Sequence, residues 1–457
     1  MNAFKFTYMT VGASLLLASC AKEEVSEPGF GTGGKLIRFN TSLPEVISRA
    51  ESVGKEDIQN FHVTAFNPAD PKLADTNGNL REFIKDELVE KDENNGVYNS
   101  GNCLWPESGH EEDELTFFAY YPARNTGTTL ENTSTVSGGV ANFNYTVNNF
   151  RVAANITDQV DFIAAYTTGS MAENMFSGIN LEFNHKLSKI EVMAKSMHKS
   201  CKIEIAGIRI GCIHNQGIYN FKAEEGAGDW TIDQNQEKAN VEYVYREGDK
   251  IIALDNTVAE VSIMGGPEGA GNYAILLPEK YDGWDFSNDN TNSSEGMYIS
   301  VLLRILDKTP GGNDKQQYPY FDNSQGLNAM NIQRVYLAVD NTGTITDNPG
   351  QLYKGADGTY YTNAARTREY RLPQGSVVKE FGWASLPVSA DWQPGHSYCY
   401  TLDYTSGVGV HGPDVTGNVS PKAGDPIISD RVGVSVSVND WQGLNGTTTS
   451  VIGVPGS

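Results

Sequence analysis

Basic residues are in short supply. Lys and Arg total 34 against 57 Asp and Glu, a formal net charge of −23 at pH 7. Phosphate backbones repel such a chain, so no nucleic-acid partner is expected. Long apolar runs are missing too: beyond the N-terminus, nothing approaches the roughly 18 residues of a membrane-spanning helix. Cysteine is rare, five residues in 457, and no CxxC or Cys/His cluster suggests zinc. Long helical periodicity is scarce. Turn residues and aromatics are plentiful instead: 47 Gly and 18 Pro, with 22 Tyr and 18 Phe, suit many short strands joined by turns.

The N-terminus carries an address. Lys5 gives a weakly basic start, an apolar run ends in Leu15-Leu16-Leu17, and Leu17-Ala18-Ser19-Cys20 follows. That order resembles a bacterial lipobox, in which small residues fit the lipoprotein signal peptidase and the Cys20 thiol receives a diacylglycerol. Residues 1–19 are then a cleaved signal, and the mature chain is an outer membrane lipoprotein with only its lipid in the bilayer. Lys22-Glu23-Glu24 just after Cys20 resembles the surface-export signal of Bacteroidetes lipoproteins. Gly-rich residues up to 34 complete a flexible tether. Gly29, Gly31 and Gly34 match G-x-G-x-x-G, and residues 29–35 match G-x-x-x-x-G-K, but no strand precedes them and Leu36 replaces the magnesium-binding Ser or Thr. No nucleotide or other cofactor is expected.

Alternating apolar residues mark the strands. Ile37, Phe39, Thr41 and Leu43 share one face before Pro44; Phe61, Val63 and Ala65 form a second strand; Leu115, Phe117, Ala119 and Tyr121 form a third. The pattern continues at 160–166, 181–194, 202–210, 243–245, 260–264, 273–277, 298–306, 334–339 and 398–404. It ends at Val432, Val434, Val436 and Val438, which alternate with Gly433, Ser435 and Ser437. Burying four valines stabilises by roughly 6 to 12 kcal/mol, so this strand belongs in a sheet, its own or a neighbour's. Residues 82–90 read as a short peripheral helix, and 307–330 and 340–380 as loops and hairpins. Many short strands with turns between them indicate β-sandwich domains. A polar stretch at 195–202 gives the expected division: an N-terminal sandwich over 35–197, a C-terminal sandwich over 198–441 and a Gly/Thr/Ser-rich tail over 442–457.

Catalytic patterns fail in detail. His110 begins an H-E-x-x-H match that ends on Glu114, and Gly395 begins a G-x-S-x-G match that ends on Cys399. His185 and His396 read as locally hydrogen-bonded. Asp75-Thr76-Asn77-Gly78-Asn79 places its Gly too early for a calcium loop and reads as a turn. Arg366, Arg368 and Arg371 read as a solvated face. Cys103, Cys201, Cys212 and Cys399 read as mostly core thiols, with a Cys201–Cys212 bridge left open. No enzyme is expected.

Several segments in order resemble the fimbrillin family of Bacteroidetes surface proteins, its Mfa-like branch especially. They are Leu115-Thr116-Phe117-Phe118-Ala119-Tyr120-Tyr121-Pro122, Asp158-Gln159-Val160-Asp161-Phe162, Leu181-Glu182-Phe183-Asn184-His185-Lys186-Leu187-Ser188-Lys189-Ile190 and Gly207-Ile208-Arg209-Ile210-Gly211. Ala274-Ile275-Leu276-Leu277-Pro278, Phe381-Gly382-Trp383-Ala384, Trp392-Gln393-Pro394-Gly395 and 398–404 follow, behind the lipobox. The resemblance implies two transthyretin-like β-sandwich domains in tandem. It also implies a surface lipoprotein cut after an Arg by a trypsin-like protease, which removes the first strand. The groove then accepts a strand from another subunit, building a fimbrium by donor-strand exchange. The matching Arg is Arg49, before Ala50; the matching donor is the Val432, Val434, Val436 and Val438 strand. The expected role is a fimbrial subunit or adhesin, with other subunits, the protease and a surface receptor as partners. The alternative is a surface glycan-binding lipoprotein using Tyr318, Tyr320, Phe321, Tyr360 and Tyr361 as stacking rings.

Overall fold

The computed structural model describes residues 35–43, 58–94, 96–122, 127–138, 140–224, 226–265, 273–286, 296–309, 314–319, 332–415, 421–428, 432–440 and 448–452, without side chains at 439–440 and 448–452. The fold is all-β, as expected. Among the described residues the α-helix is the single turn Met171–Asn174, and no helix is long and apolar enough to cross a membrane.

The N-terminal part is built on one eight-stranded sheet. Its order is Ile179–Glu182, Leu36–Ser42, Tyr98–Leu104, Ile84–Lys91, Asn60–Phe66, Leu115–Tyr121, Ile163–Gly169 and Asn184–His185. Four strand spacings of about 4.8 Å separate Leu36–Ser42 from Leu115–Tyr121 along the sheet, roughly 19 Å. Yet the rings of Phe39 and Phe117 lie 5.9 Å apart. The sheet therefore curls over its own core, which joins Ile37, Phe39, Phe61, Phe117, Ile163, Ile179 and Phe183. The outer face is covered as well. A four-stranded sheet of Gly228–Thr231, Gln216–Phe221, Tyr145–Arg151 and Thr129–Asn132 packs there through Tyr145 and Phe221 against Phe118 and Tyr120. Burial on both faces explains the apolar run over residues 117–121.

The C-terminal part pairs two larger sheets. One runs Thr257–Ser262, Ser188–Ser196, His396–Asp403, Gly433–Asp440 and Thr448–Ile452. The other runs Ala239–Val244, Cys201–Ile213, Tyr298–Asp307, Val377–Pro387, Arg334–Val339 and Ile345–Gly350. Val192, Ile203, Val301, Tyr400, Leu402 and Val434 meet in the core between them.

Three expectations need correction. Residues 82–90 are no helix: Ile84–Lys91 is a strand between Asn60–Phe66 and Tyr98–Leu104. Ile84 and Leu88 have helical spacing, but two waiting strand edges outweigh it, and Leu88 is left exposed. The expected seam at 197/198 does not follow the hydrogen bonding. Ser188–Ser196 lies parallel to His396–Asp403, from Lys189 opposite Ser397 to Lys195 opposite Asp403, and Gln216–Phe221 pairs with Tyr145–Arg151. A Cys201–Cys212 bridge is impossible. Both cysteines sit on the strand Cys201–Ile213, roughly 35 Å apart at the usual rise, and both are free.

Candidate functional site

The first strand, Leu36–Ser42, is built like an insert. Its alternation buries Ile37 and Phe39 completely and Thr41 nearly so, while Leu36, Arg38, Asn40 and Ser42 face solvent. On one side it runs parallel to Ile179–Glu182, with Phe39 opposite Ile179 and Ser42 opposite Glu182. On the other it runs antiparallel to Tyr98–Leu104, with a bulge between Leu36 and Arg38. Asn40 Nδ2 donates to the Ser177 carbonyl and to Asn180 Oδ1, both at 2.9 Å. Gly178 has φ +79°, and a Cβ there would stand 3.0 Å from the Arg38 carbonyl, so only glycine lets the strand pass this close.

The pocket for Phe39 is lined with rings. Phe61 stands at 5.8 Å and Phe117 at 5.9 Å, both edge-on. Phe61 also contacts Tyr98 and Phe183, and Phe117 contacts Trp105. Tyr98 closes one end by donating its hydroxyl to the Ile58 carbonyl at 2.6 Å. Sequence reasoning found the inward row Ile37, Phe39, Thr41 and Leu43 but not these walls. Their only signal was ordinary strand alternation.

The valine row lies within the chain's own sheet. Val434 faces Leu402, Val436 faces Tyr400 and Val438 faces Tyr398 across the sheet, and Thr448–Ile452 pairs on the other side. Val432, Val434 and Val436 are buried; Val438 is half-buried. Cys20, Arg49 and Ala50 lie outside the described residues, as do the Gly-rich tether, Tyr320 and Phe321.

The proposed stacking rings are only partly available. Tyr318 is fully buried and donates its hydroxyl to the Trp383 carbonyl at 2.7 Å, which corrects its assignment as an exposed loop ring. Tyr360 and Tyr361 are half-buried in a small hairpin with Tyr353–Lys354. Arg366, Arg368 and Arg371 are exposed. Asp75 closes a turn by accepting from the Asn77 and Asn79 amides.

Ionisable groups inside the protein cross-link strands. His185 Nδ1 meets Asp161 at 2.5 Å, whereas the half-buried His396 makes a local contact through Nδ1 with the Pro394 carbonyl two residues back. His214, which sequence did not single out, sits on Glu279 at 2.9 Å while Tyr281 donates to the same carboxylate. Glu204 joins three strands through Arg304 and Lys379, both at 2.9 Å, and Lys202 at 3.1 Å. Burial raises its pKa, but the three cations outweigh burial and hold it below the usual glutamate range. Among the described residues no group of three or more His, Cys, Asp or Glu side chains could hold a metal.

Comparison with known proteins places this arrangement in context. A family profile described as fimbrillin-like matches residues 48–309. A fimbrial protein from Bacteroides vulgatus is 12% identical, with a TM-score of 0.47 over 89% of this chain and 99% of that one. A candidate cell adhesion protein from Bacteroides ovatus is 14% identical, with a TM-score of 0.36 over 82% of this chain and 93% of that one. No curated protein matches the chain.

Proposed function

The chain belongs to the fimbrillin-like family, and from that premise we propose that it is a fimbrial subunit or fimbria-associated adhesin of the cell surface, assembled by donor-strand exchange. The observation that carries this reading is the state of Leu36–Ser42. It is the first of the described strands, inserted between two others, with its inward Ile37 and Phe39 completely enclosed. A cut after Arg49 would sever it from the body of the chain. Losing Ile37, Phe39 and Leu43 would uncover apolar surface worth about 5 to 9 kcal/mol, enough to drive capture of a replacement strand. Sheet neighbours on both sides would hydrogen-bond the newcomer. In this reading Cys20 carries the lipid during transport to the outer membrane, and Arg49 and Ala50 flank the processing cut. The valine strand Gly433–Asp440 is the segment offered onward. No catalytic step is involved.

The test is made on fibres sheared from producing cells. A donated strand leaves only by partial unfolding, so polymers should survive unheated SDS. Chains in the ladder should begin at Ala50, and Arg49→Ala should remain lipid-bound and absent from the ladder. Arg49→Ala found inside SDS-resistant fibres would sink the processing model.

A further inference from the structure

We infer that the groove filled by Leu36–Ser42 selects a strand with an aromatic side chain at the Phe39 position, and so takes its donor from a different subunit rather than from a second copy of this chain. The inference rests on the strand-exchange reading above.

Phe39 is the hub of a ring cluster. Phe61 and Phe117 meet it edge-on, and through them it reaches Tyr98, Phe183 and Trp105. All five partners belong to the part of the chain that stays when the first strand leaves. The incoming strand must refill a space enclosed to 0% exposure and shaped to a phenyl ring. Interiors pack to crystal density, so an undersized side chain loses both transfer energy and contacts across the void.

The chain's own tail cannot supply that ring. One row of its alternation is Val432, Val434, Val436 and Val438; the other is Gly433, Ser435, Ser437 and Asn439. Valine is several carbon atoms short of a phenyl ring in every register. Trp441 is the large side chain nearby, but it shares its alternation with Ser435, Ser437 and Asn439, which would turn inward with it.

The outward row narrows the choice further. Asn40 is tied to Ser177 and Asn180, so a good donor carries an amide just after its aromatic residue. In the direction of the native strand, three registers of the tail put an amide there: Trp441 with Gln442 and Leu444 with Asn445 would bury Asn439 or Gln442 in the place of the fully enclosed Ile37, and the third sets Val438 on Phe39 and Asn439 on Asn40. That register sets Asp440 in the place of Thr41, which is 7% exposed. A carboxylate there would be buried without a built partner. The partner chemistry is therefore an extended segment with alternating apolar residues, an aromatic at the hub and an amide next to it.

The lipid-free chain starting at Ala21 is nicked after Arg49 with a trypsin-like protease. Three fluorescent peptides are added: the 35–43 sequence, the same sequence with Phe39→Val, and the 432–440 sequence. The 35–43 peptide should exchange in and be retained at least tenfold more strongly than either of the others. The nicked chain alone should stay monomeric on an unheated SDS gel. Equal retention of the 432–440 peptide, or a ladder from the pure nicked chain, would overturn the inference and leave strand exchange standing. Failure of the 35–43 peptide itself to exchange would remove strand exchange, and the inference with it.

Discussion

Replacing Phe39 with Ala should loosen the first strand selectively. The ring is fully buried at the centre of the curled sheet and touches Phe61 and Phe117. Removing it loses its transfer free energy and leaves a cavity between rigid rings, together about 3 to 5 kcal/mol. If Leu36–Ser42 opens as a unit, the loss falls on that opening rather than on the whole molecule. Each 1.4 kcal/mol is a factor of ten, so amide exchange in 35–43 should quicken roughly a hundredfold to a few thousandfold. Hydrogen exchange read by mass spectrometry on the uncleaved chain measures this directly. Gly433–Asp440 serves as the internal control, because its valines belong to the other core cluster. Acceleration below tenfold in 35–43, or equal acceleration in the control, would refute the claim that Phe39 is the strand's anchor.

Other perturbations test the interior. Glu204→Gln leaves Arg304, Lys379 and Lys202 facing a neutral group, and urea denaturation at pH 7 should show a loss on the order of 3 kcal/mol. Because the folded pKa of Glu204 is depressed, its contribution is present above the ordinary glutamate value and is lost as pH falls through the folded one; the wild-type advantage over Glu204→Gln should shrink in acid. Burial pushes Lys186 down to about 8 from 10.5. The unfolded chain binds the extra proton between those values, so stability should rise with pH across that window. Lys186→Met should stabilise the protein at pH 7 by about 1 to 3 kcal/mol, the desolvation relieved less the hydrogen bond lost to the Gly226 carbonyl. Burial, then the nearby Glu87, raises the Cys103 thiol to about 12; burial, then Glu191, raises Cys399 to about 11. Thiol titration at pH 8 should therefore find both inert in the native protein and reactive after unfolding.

Individual strands of the eight-stranded sheet show why some of this was legible and some was not. Ile37, Phe39, Thr41 and Leu43 announced their strand because a sheet side chain period of two writes itself directly into sequence. The same rule located Leu115–Tyr121 and the valine row. It failed at Ile84–Lys91, where Ile84 and Leu88 mimic a helical face and only the edges of Asn60–Phe66 and Tyr98–Leu104 decide otherwise. It failed for Tyr318 too. Its neighbours read as loop, and its burial comes from pairing with Ile305 and packing in the core, where its hydroxyl reaches the Trp383 carbonyl far along the chain.

Local side-chain periodicity and the abundance of turn residues determined the class of protein, all-β. Those features act over a few residues, so a single chain displays them. Pairing of Ser188–Ser196 with His396–Asp403, the curl that brings Phe39 onto Phe117, and the cations gathered on Glu204 were decided only by tertiary structure. Each joins residues far apart in sequence, and an apolar strand is equally ready to pair with many edges. Which edge it meets depends on the packing of all the others.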